Sequence, residues 1–389
     1  MDYIDKKIKD LTPQIIKIRR QLHMHPELSF EEHETSEFIC KFLKGIGIEY
    51  IRVAKTGIIA TLMNSNDYPT IAIRAEIDAL PINDEKDCEY VSRNKGVMHA
   101  CGHDGITAIT LGLAAILAEF RTELKCNIKF LFEPAEEIGQ GAQALIQEGA
   151  LDNPKVDGII IFHLANSSHI GMEIQENVST AAVGALNIKI AGRSCHWAEK
   201  EKGINAINIA ANVIAEIDAI NKSYLSRMPF VVGIGRINGG VKNNIVPDFV
   251  EMNGTLRAFS LDEFHSVFEY VKERMKSLEE ESKSKIDVSI LSCTPPIHND
   301  PEFVILGQKI GQQIFGQQCR ISNKPYLAGD NAAFYFKIVK GLRIVFFAMK
   351  QNEENYPLHN SKFDFNEDII PLAIKTLYEI MSSVDSVTT

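Results

Sequence analysis

The sequence lacks several features that define common classes of protein. It contains no run of roughly 18 apolar residues, so no membrane-spanning helix is predicted. Its first residues, MDYIDKKIKDLTPQ, have no apolar core of a secretory signal, which predicts a cytoplasmic protein. It has no run of Lys and Arg, and 41 basic against 51 acidic residues give a net charge of −10. This balance argues against nucleic acid or an anionic membrane surface as the main partner.

Paired cysteines and phosphate-binding glycine loops are also missing. The seven cysteines are an odd number, scattered along the chain without a CxxC pair. Thiols used in this way are typical of a reducing compartment and not of a disulfide framework. Neither GxxxxGK[ST] nor a strand-linked GxGxxG occurs, so no phosphate-cradling loop is predicted.

Hydrophobic periodicity predicts an α/β fold. A length of 389 residues favours two domains. Apolar residues at helical spacing predict two helices within the first fifty residues. Short apolar strands that alternate with helices then follow: GIIATLM, TIAIRAEI, NIKFLFEP and GIIIFHLA. Strands of this kind are buried on both faces, which indicates a largely parallel sheet.

The pattern changes after about residue 181. Strands and helices then follow in the order β-α-β-β-α-β, which is typical of a ferredoxin-like α+β sandwich. A Pro-rich joint, TPPIHNDP, ends it. The sequence therefore predicts one discontinuous domain of residues 1–180 and 292–389, interrupted by an inserted domain of residues 181–291.

Side chains of metal-binding types lie near the ends of the predicted strands, where α/β domains keep their sites. They are Asp78, Cys101, His103, Glu133, Glu136, Glu137, His163 and, near the C-terminus, His359. Thiolate, imidazole and carboxylate hold divalent transition metals. Five of these residues are too many for one tetrahedral catalytic ion and suit two ions that share a bridging water: Cys101, His103, Glu137, His163 and His359. Glu136 could then move a proton from that water to a leaving nitrogen.

Other interpretations of the same residues stay open. Cys101 alone could be a buried structural thiol, and His163 a core histidine. The acidic residues of PAEE also suit a solvated first helical turn. A Cys-His hydrolase would use Cys101 as the nucleophile, but it would leave the Glu pair and two histidines without a role. His99 could orient a ligand, and Asp104 is expected to be a supporting partner and not the base.

The succession of motifs resembles a known family. These motifs occur in order: RRQLHMHPELSFEEHET, RAEIDALPI, MHACGHDGITA, FEPAEEIGQGA, GRSCHWA, NNIVPD, GTLRAF and LHNSKFDF. They are similar to the amidohydrolase and metallopeptidase family of hippurate hydrolases, auxin-conjugate hydrolases and N-acyl-L-amino acid amidohydrolases. The resemblance implies a metallopeptidase catalytic domain with two metal ions and an inserted lid or dimerisation domain. It also implies a homodimer formed through that lid.

The resemblance also implies roles for single residues. Cys101, His103, Glu137, His163 and His359 match the metal ligands, and Glu136 matches the general acid/base. His196 matches a lid histidine that holds the substrate carbonyl or carboxylate, while Asn244 and Arg257 match positions near the substrate carboxylate. Asp78, His99 and Asp104 are expected to support the ligands from behind.

Three segments depart from the family pattern. Cys195 and Trp197 flank the lid histidine where glycine and small residues are usual, and LAGDNAAFY replaces a commoner Gly-Ser/Gly-Glu-Asp-Phe pattern around Asp330 and Asn331. Ile106 stands where a third histidine is often found. None of these three departures removes an expected metal ligand, so they affect the identity of the substrate and not the class of activity.

We expect a metal-dependent hydrolase that cleaves the amide bond of N-acyl-L-amino acids, with acetyl, benzoyl or another acyl group. Zinc or manganese are the expected ions, with nickel or cobalt as alternatives. A carboxypeptidase or dipeptidase would use the same residues. A catalytically silent binding or assembly protein with this fold is the alternative from another class.

Overall fold

The computed structural model describes residues 3–165, 169–348 and 354–384. It divides into two compact units over these residues. The first unit comprises Met1–Ser179, His298–Lys324 and Asn331–Thr389, and the second comprises Thr180–Ile297 and Pro325–Asp330.

Both units contain α-helices and β-strands. The α-helices are α1 Tyr3–Met24, α2 His33–Gly45, α3 His103–Glu119, α4 Gly141–Gln147, α5 Ala206–Ser223, α6 Leu261–Ser282, α7 Pro301–Phe315, α8 Ala333–Phe336 and α9 Ile369–Ser383. The strands are β1 Glu49–Val53, β2 Gly57–Leu62, β3 Thr70–Glu76, β4 Asn127–Glu133, β5 Gly158–Ala165, β6 Gly171–Gln175, β7 Val178–Thr180, β8 Ala182–Ala191, β9 Cys195–His196, β10 Val231–Gly239, β11 Ile245–Val246, β12 Phe249–Ala258, β13 Lys285–Thr294, β14 Ile297–His298, β15 Cys319–Ser322 and β16 Lys340–Phe347. Short 3-10 helices lie at Arg121–Glu123, Trp197–Lys202 and Gly316–Gln318.

An eight-stranded sheet organises the first unit, with strand order β1-β2-β4-β3-β5-β16-β6-β15. The central strands β4, β3, β5 and β16 are parallel to one another. Antiparallel pairings occur toward the two sides, between β1 and β2, β2 and β4, and β16 and β6. The predicted α/β fold with a largely parallel sheet is therefore confirmed.

The core of this sheet follows from its sequence. Every residue of β3 and β4 is buried, as expected for strands covered on both faces. Strands β1, β6 and β15 were not predicted. They are short, and β1 and β15 carry exposed residues, so their apolar signal is weak.

Helix α3 anchors the loop that precedes it. Its residues are buried almost throughout, and α1 and α9 pack against it. A Cβ at Gly112 would lie 2.6 Å from the Ile374 Cδ1 and 3.0 Å from the Ile15 Cγ1. Only glycine allows these two helices to approach α3 so closely.

The second unit has its own sheet and core. Its main sheet has the order β10-β12-β8-β13 with antiparallel pairs throughout. Helices α5 and α6 pack on that sheet over a separate apolar cluster that includes Leu186, Val213 and Val267. This is the β-α-β-β-α-β arrangement of a ferredoxin-like sandwich.

Within residues 3–165, 169–348 and 354–384, no helix combines the length and the apolar character needed to cross a bilayer.

Candidate metal centre

The parallel strands bring three of the predicted segments to one edge of the sheet. Strands β3, β4 and β5 are parallel, so their carboxyl ends lie at the same edge. Asp78 follows β3, Glu136 and Glu137 follow β4, and His163 lies near the end of β5. Residues far apart in the sequence therefore become neighbours.

A glycine turn adds the fourth segment. Gly102 has φ 85°, in the left-handed region that glycine adopts without steric cost, and α3 begins directly after it at His103. Cys101 precedes this turn and is 8% exposed. The backbone N–H of His359 donates to the Ala100 carbonyl at 2.8 Å, which ties the C-terminal segment to the same loop.

The five expected ligands lie together. In each of three groups, one ligand atom from every member lies within 4.8 Å of the others: Cys101 with His103 and His163, Cys101 with Glu137 and His359, and His103 with Glu136 and Glu137. The Cys101 Sγ lies 3.5 Å from the His163 Nε2. The Glu137 carboxylate lies 3.9 Å from the His103 Nε2 and 3.6 Å from the His359 Nε2.

Hydrogen bonds fix which nitrogen of the His103 and His163 imidazoles faces the cluster. The His103 Nδ1 lies 2.9 Å from the Asp78 carbonyl oxygen, and the His163 Nδ1 lies 2.7 Å from the Leu164 carbonyl oxygen. A carbonyl oxygen only accepts, so both Nδ1 atoms donate and both Nε2 atoms are left for other partners. Imidazole ligands of metals are oriented in the same way.

Two buried polar atoms without hydrogen-bond partners show whether these residues fit metal ions. The His103 Nε2 and the Glu137 Oε1 are buried and have no hydrogen-bond partner among the described residues. Buried polar atoms are normally satisfied. Soft thiolate, imidazole and carboxylate donors in one cluster are also a set that transition metals prefer. The residues therefore fit two divalent ions.

The charges around the cluster favour a cation. Burial lowers the pKa of His103, but Cys101 and Asp78 outweigh that effect and raise it well above the usual value. A metal that binds there must displace this proton. Burial raises the pKa of the Cys101 thiol to about 12. His103 opposes this shift but does not outweigh it, and a thiol that stays protonated is a poor nucleophile, which argues against a Cys-His hydrolase.

Asp78 touches two of the expected ligands. Its Oδ1 lies 3.2 Å from the His103 Nδ1, and its Oδ2 accepts from the Glu137 backbone N–H at 2.9 Å. Ser29 also donates to this carboxylate, at 2.8 Å. Burial opposes ionisation of Asp78, but these donors together hold its pKa below the usual value.

His99 and Asp104, which are expected to support the ligands, lie in different surroundings. His99 is buried, and neither ring nitrogen has a hydrogen-bond partner among the described residues. Burial lowers its pKa to about 3, so the ring is neutral. Its role in orienting a ligand stays a prediction. Asp104 binds Arg19 and His23, each at 2.8 Å, and so lies in a buried ion-pair network.

Asn331, which the sequence left without a role, lies beside Glu136. Its backbone N–H lies 3.5 Å from the Glu136 Oε1, and its side-chain oxygen accepts from the Arg74 Nη2 at 2.8 Å. Arg74 also forms two hydrogen bonds of 2.9 Å with Glu133. Glu133 is therefore paired with an arginine. No local signal in the sequence could have connected Asn331 with Glu136.

The residues predicted to bind substrate lie in the second unit. His196 pairs with Ile245 across β9 and β11, so Asn244 directly precedes its pairing partner. The His196 Nδ1 accepts from the Ala198 N–H at 3.1 Å, and the Trp197 side chain is 42% exposed. Arg257 lies on β12 and donates to the Leu327 carbonyl at 2.8 Å. The structure thus brings His196 and Asn244 together within this unit.

The α/β sheet and the donor cluster at its carboxyl edge define the class of the protein: an α/β protein with a candidate metal centre. The family description "Peptidase family M20/M25/M40" matches residues 72–383. The chain therefore belongs to this peptidase family, and it is an amidohydrolase enzyme.

Relatives cover nearly the whole chain. An N-acetyl-L-cysteine deacetylase of Bacillus subtilis is 35% identical over 379 residues, which cover 96% of this chain and 88% of the relative. Thermostable carboxypeptidase 2 of Saccharolobus solfataricus is 30% identical, with 96% of each chain covered. The crystal structure of a dinuclear metal-binding M20 peptidase of Bacillus subtilis has a TM-score of 0.84 and 30% identity, covering 97% of this chain and 99% of that one.

Proposed function

We propose that this protein hydrolyses the amide bond of N-acyl-L-amino acids to a carboxylate and a free amino acid, using two divalent metal ions. The observation that carries the proposal is the convergence of Cys101, His103, Glu137, His163 and His359 at one edge of the sheet, beside the carboxylate of Glu136. The similarity to an N-acetyl-L-cysteine deacetylase supports the substrate class. The similarity to a dinuclear metal-binding peptidase supports the number of ions.

The ligands divide between two ions in this proposal. Cys101 belongs to two of the donor groups, one with His103 and His163 and one with Glu137 and His359. When bound, two divalent ions lower the pKa of a water molecule and polarise an amide carbonyl. The thiolate favours zinc, whereas carboxylate and imidazole also suit manganese, cobalt or nickel.

Glu136 carries the proton in this proposal. Its neighbour Glu137, whose carboxylate lies within 4 Å of two histidines, is the proposed metal ligand, and Glu136 is the proposed acid and base. It accepts a proton from the attacking water while the water oxygen bonds to the amide carbon. As the C–N bond breaks, the same carboxyl group donates that proton to the leaving nitrogen. The Asn331 N–H at 3.5 Å keeps a donor near the Glu136 carboxylate.

The substrate-binding roles rest on the resemblance. His196 is proposed to hold the substrate carbonyl or carboxylate and to stabilise negative charge on the carbonyl oxygen. Asn244 and Arg257 are proposed to lie near the substrate carboxylate. Residues 181–291 are proposed as the lid and the dimer interface of a homodimer.

A carboxypeptidase or dipeptidase activity is the second candidate. It is favoured by the similarity to a thermostable carboxypeptidase, which covers 96% of both chains. The same ligands and the same Glu136 would serve, because only the acyl group of the substrate differs.

A substrate panel tests the proposal and separates the two candidates. Protein reconstituted separately with zinc, manganese and nickel is assayed on N-acetyl and N-benzoyl amino acids and on dipeptides. We expect the highest kcat/KM on an N-acyl amino acid. Faster hydrolysis of dipeptides would establish the second candidate instead, and no hydrolysis of either class with any metal would overturn both.

A further inference from the structure

The turn that carries Glu136 contains a residue in an unfavourable backbone conformation. Ala135 has φ 53°, in the left-handed region that residues with a Cβ disfavour. Such a conformation persists only where the surroundings hold it, and it often marks a functional site. The contacts that hold Ala135 matter, because its backbone sets the position of the next residue, Glu136.

Both sides of Ala135 are hydrogen-bonded. Its carbonyl accepts from the backbone N–H groups of Gln140 and Gly141, at 3.2 and 3.3 Å. Its own N–H donates to the Glu32 Oε1 at 2.8 Å. The first two bonds close the turn on itself, whereas the third ties the turn to a side chain 103 positions away in the sequence.

Glu32 is a buried acidic residue and not a surface one. It is fully buried, directly before α2. Its side chain does not cap that helix, because the Glu27 carboxylate accepts from the N–H groups of Glu34 and Thr35, at 3.0 and 2.8 Å. The second oxygen of Glu32 accepts from the Thr56 hydroxyl at 2.5 Å. A buried carboxylate is costly unless it is hydrogen-bonded, and in Glu32 both oxygens are.

A second carboxylate holds the other side of Glu136. The Glu137 N–H donates to the Asp78 Oδ2 at 2.9 Å. The amides that precede and follow Glu136 in the chain are therefore each bound by a buried carboxylate, Glu32 on one side and Asp78 on the other. Of these two carboxylates, Asp78 also touches the expected ligand His103, whereas Glu32 bonds to Ala135 and Thr56, which are not expected metal ligands.

We propose that Glu32 is a positioning residue for amide hydrolysis: through the Ala135 N–H it holds the turn so that Glu136 can reach the water and the leaving nitrogen. This inference rests on the proposed function of Glu136. A general acid/base works only within hydrogen-bond reach of its proton, and a displacement of about 1 Å can cost on the order of a hundredfold in rate. Loss of the hydrogen bond between Glu32 and the Ala135 N–H therefore lowers kcat and leaves KM and the amount of bound metal unchanged.

Three variants separate positioning from general support of the fold. Glu32→Leu fills the same buried space without an acceptor for Ala135. Glu32→Gln retains a carbonyl oxygen that can accept from the Ala135 N–H, while its amide can donate to Thr56. Thr56→Val is the matched control, because it removes the other hydrogen bond of Glu32 and leaves the bond to Ala135.

The experiment measures kcat, KM, bound metal and the hydrogen exchange of the Ala135 amide. We expect Glu32→Leu to lose at least tenfold in kcat with unchanged metal content and faster exchange at Ala135. Glu32→Gln and Thr56→Val should stay within about threefold of wild type. Ala135→Gly added to Glu32→Leu should restore part of kcat, because glycine adopts the left-handed region freely.

Equal losses of kcat in Glu32→Leu and Thr56→Val would overturn the proposal, because the effect would then be one of stability. So would a Glu32→Leu variant with wild-type kcat. If Glu32→Leu does not fold, the hydrogen-exchange rate of the Ala135 amide in wild-type protein decides. An Ala135 amide that exchanges as fast as a free amide would contradict the hydrogen bond to Glu32 and with it the proposal. Failure of the proposed function looks different, since wild-type protein would then hydrolyse no amide while Ala135 stayed protected.

Discussion

Replacement of Arg19 by methionine should unfold the first unit at a markedly lower temperature. The Arg19 guanidinium is 1% exposed and donates to Asp104 at 2.8 Å and to Asp364 at 2.6 Å. The side chains of these two acids are 1% and 6% exposed. Burial opposes ionisation of Asp104, but Arg19 and then His23 hold its pKa well below the usual value. Removal of Arg19 therefore leaves two buried acids without this cation.

The size of the effect follows from the buried charges left behind. Removal of one partner of a buried ion pair costs about 3–5 kcal/mol. Methionine fills much of the space between the rings of Tyr90 and Phe365, which flank the guanidinium at 4.9 and 4.4 Å, so little packing is lost in addition. Each kcal/mol shifts Tm by about 2–4 °C in a domain of 150–250 residues and less in a larger one. We therefore expect Tm to fall by roughly 5–15 °C.

The neighbouring arginine supplies the control. Arg20 lies on the same helix, its side chain is 40% exposed, and it pairs with Glu367. The Glu367 side chain is 13% exposed, but a pair whose cation is open to solvent still contributes about 0–1 kcal/mol, so Arg20→Met should change Tm by no more than about 3 °C. Thermal unfolding followed by circular dichroism, at equal metal loading for both variants, measures the difference. Equal Tm values for the two variants would refute the assignment of Arg19 as the centre of a buried network.

Three further outcomes are expected. In metal-free native protein between pH 7 and 9, Cys101 should resist alkylation while the half-exposed Cys195 reacts. Burial raises the Cys101 pKa to about 12, and the thiol stays protonated below that pH. Peptide mapping by mass spectrometry measures the alkylation rate of both cysteines, and equal rates would contradict a buried Cys101 thiol. Gly141→Ala should destabilise the fold by about 3 kcal/mol or more, because its Cβ would lie 1.8 Å from the Pro134 carbonyl oxygen. Gly45→Ala, whose Cβ meets nothing within 4 Å, is the control in the same denaturation assay. Dialysis against a chelator should abolish amide hydrolysis and added metal should restore it, whereas full activity in protein shown to be metal-free would speak for a thiol mechanism.

Much of the fold follows from local patterns in the sequence. Strands β3 and β4 are continuous apolar runs, and their complete burial at the centre of a sheet is the physical consequence. The long helices α5 and α6 carry apolar residues at helical spacing, which places them on the second unit's sheet. Strand β1 could not be predicted, because its residues EYIRV are exposed or half-buried at the side of the sheet.

The candidate site divides in the same way. Sequence position alone identifies four of the expected metal ligands, because the carboxyl ends of parallel strands converge at one edge of the sheet. These ligands are Cys101, His103, Glu137 and His163. Glu32 could not be selected, since an acid before a helix ordinarily suggests a solvated N-terminus. Its contact with Ala135 depends on how α2 packs against the sheet, which no local pattern encodes.

In the proposed reaction, Glu136 moves the proton in a hydrolysis that the candidate metal centre supports. The most direct measurement is the turnover of Glu136→Gln on the best N-acyl amino acid, together with its bound metal, beside wild type and His103→Ala. We predict wild-type metal content in Glu136→Gln with turnover reduced by a factor on the order of 10²–10⁴, and reduced metal content in His103→Ala. A metal-loaded Glu136→Gln preparation with turnover close to wild type would exclude Glu136 as the residue that moves the proton.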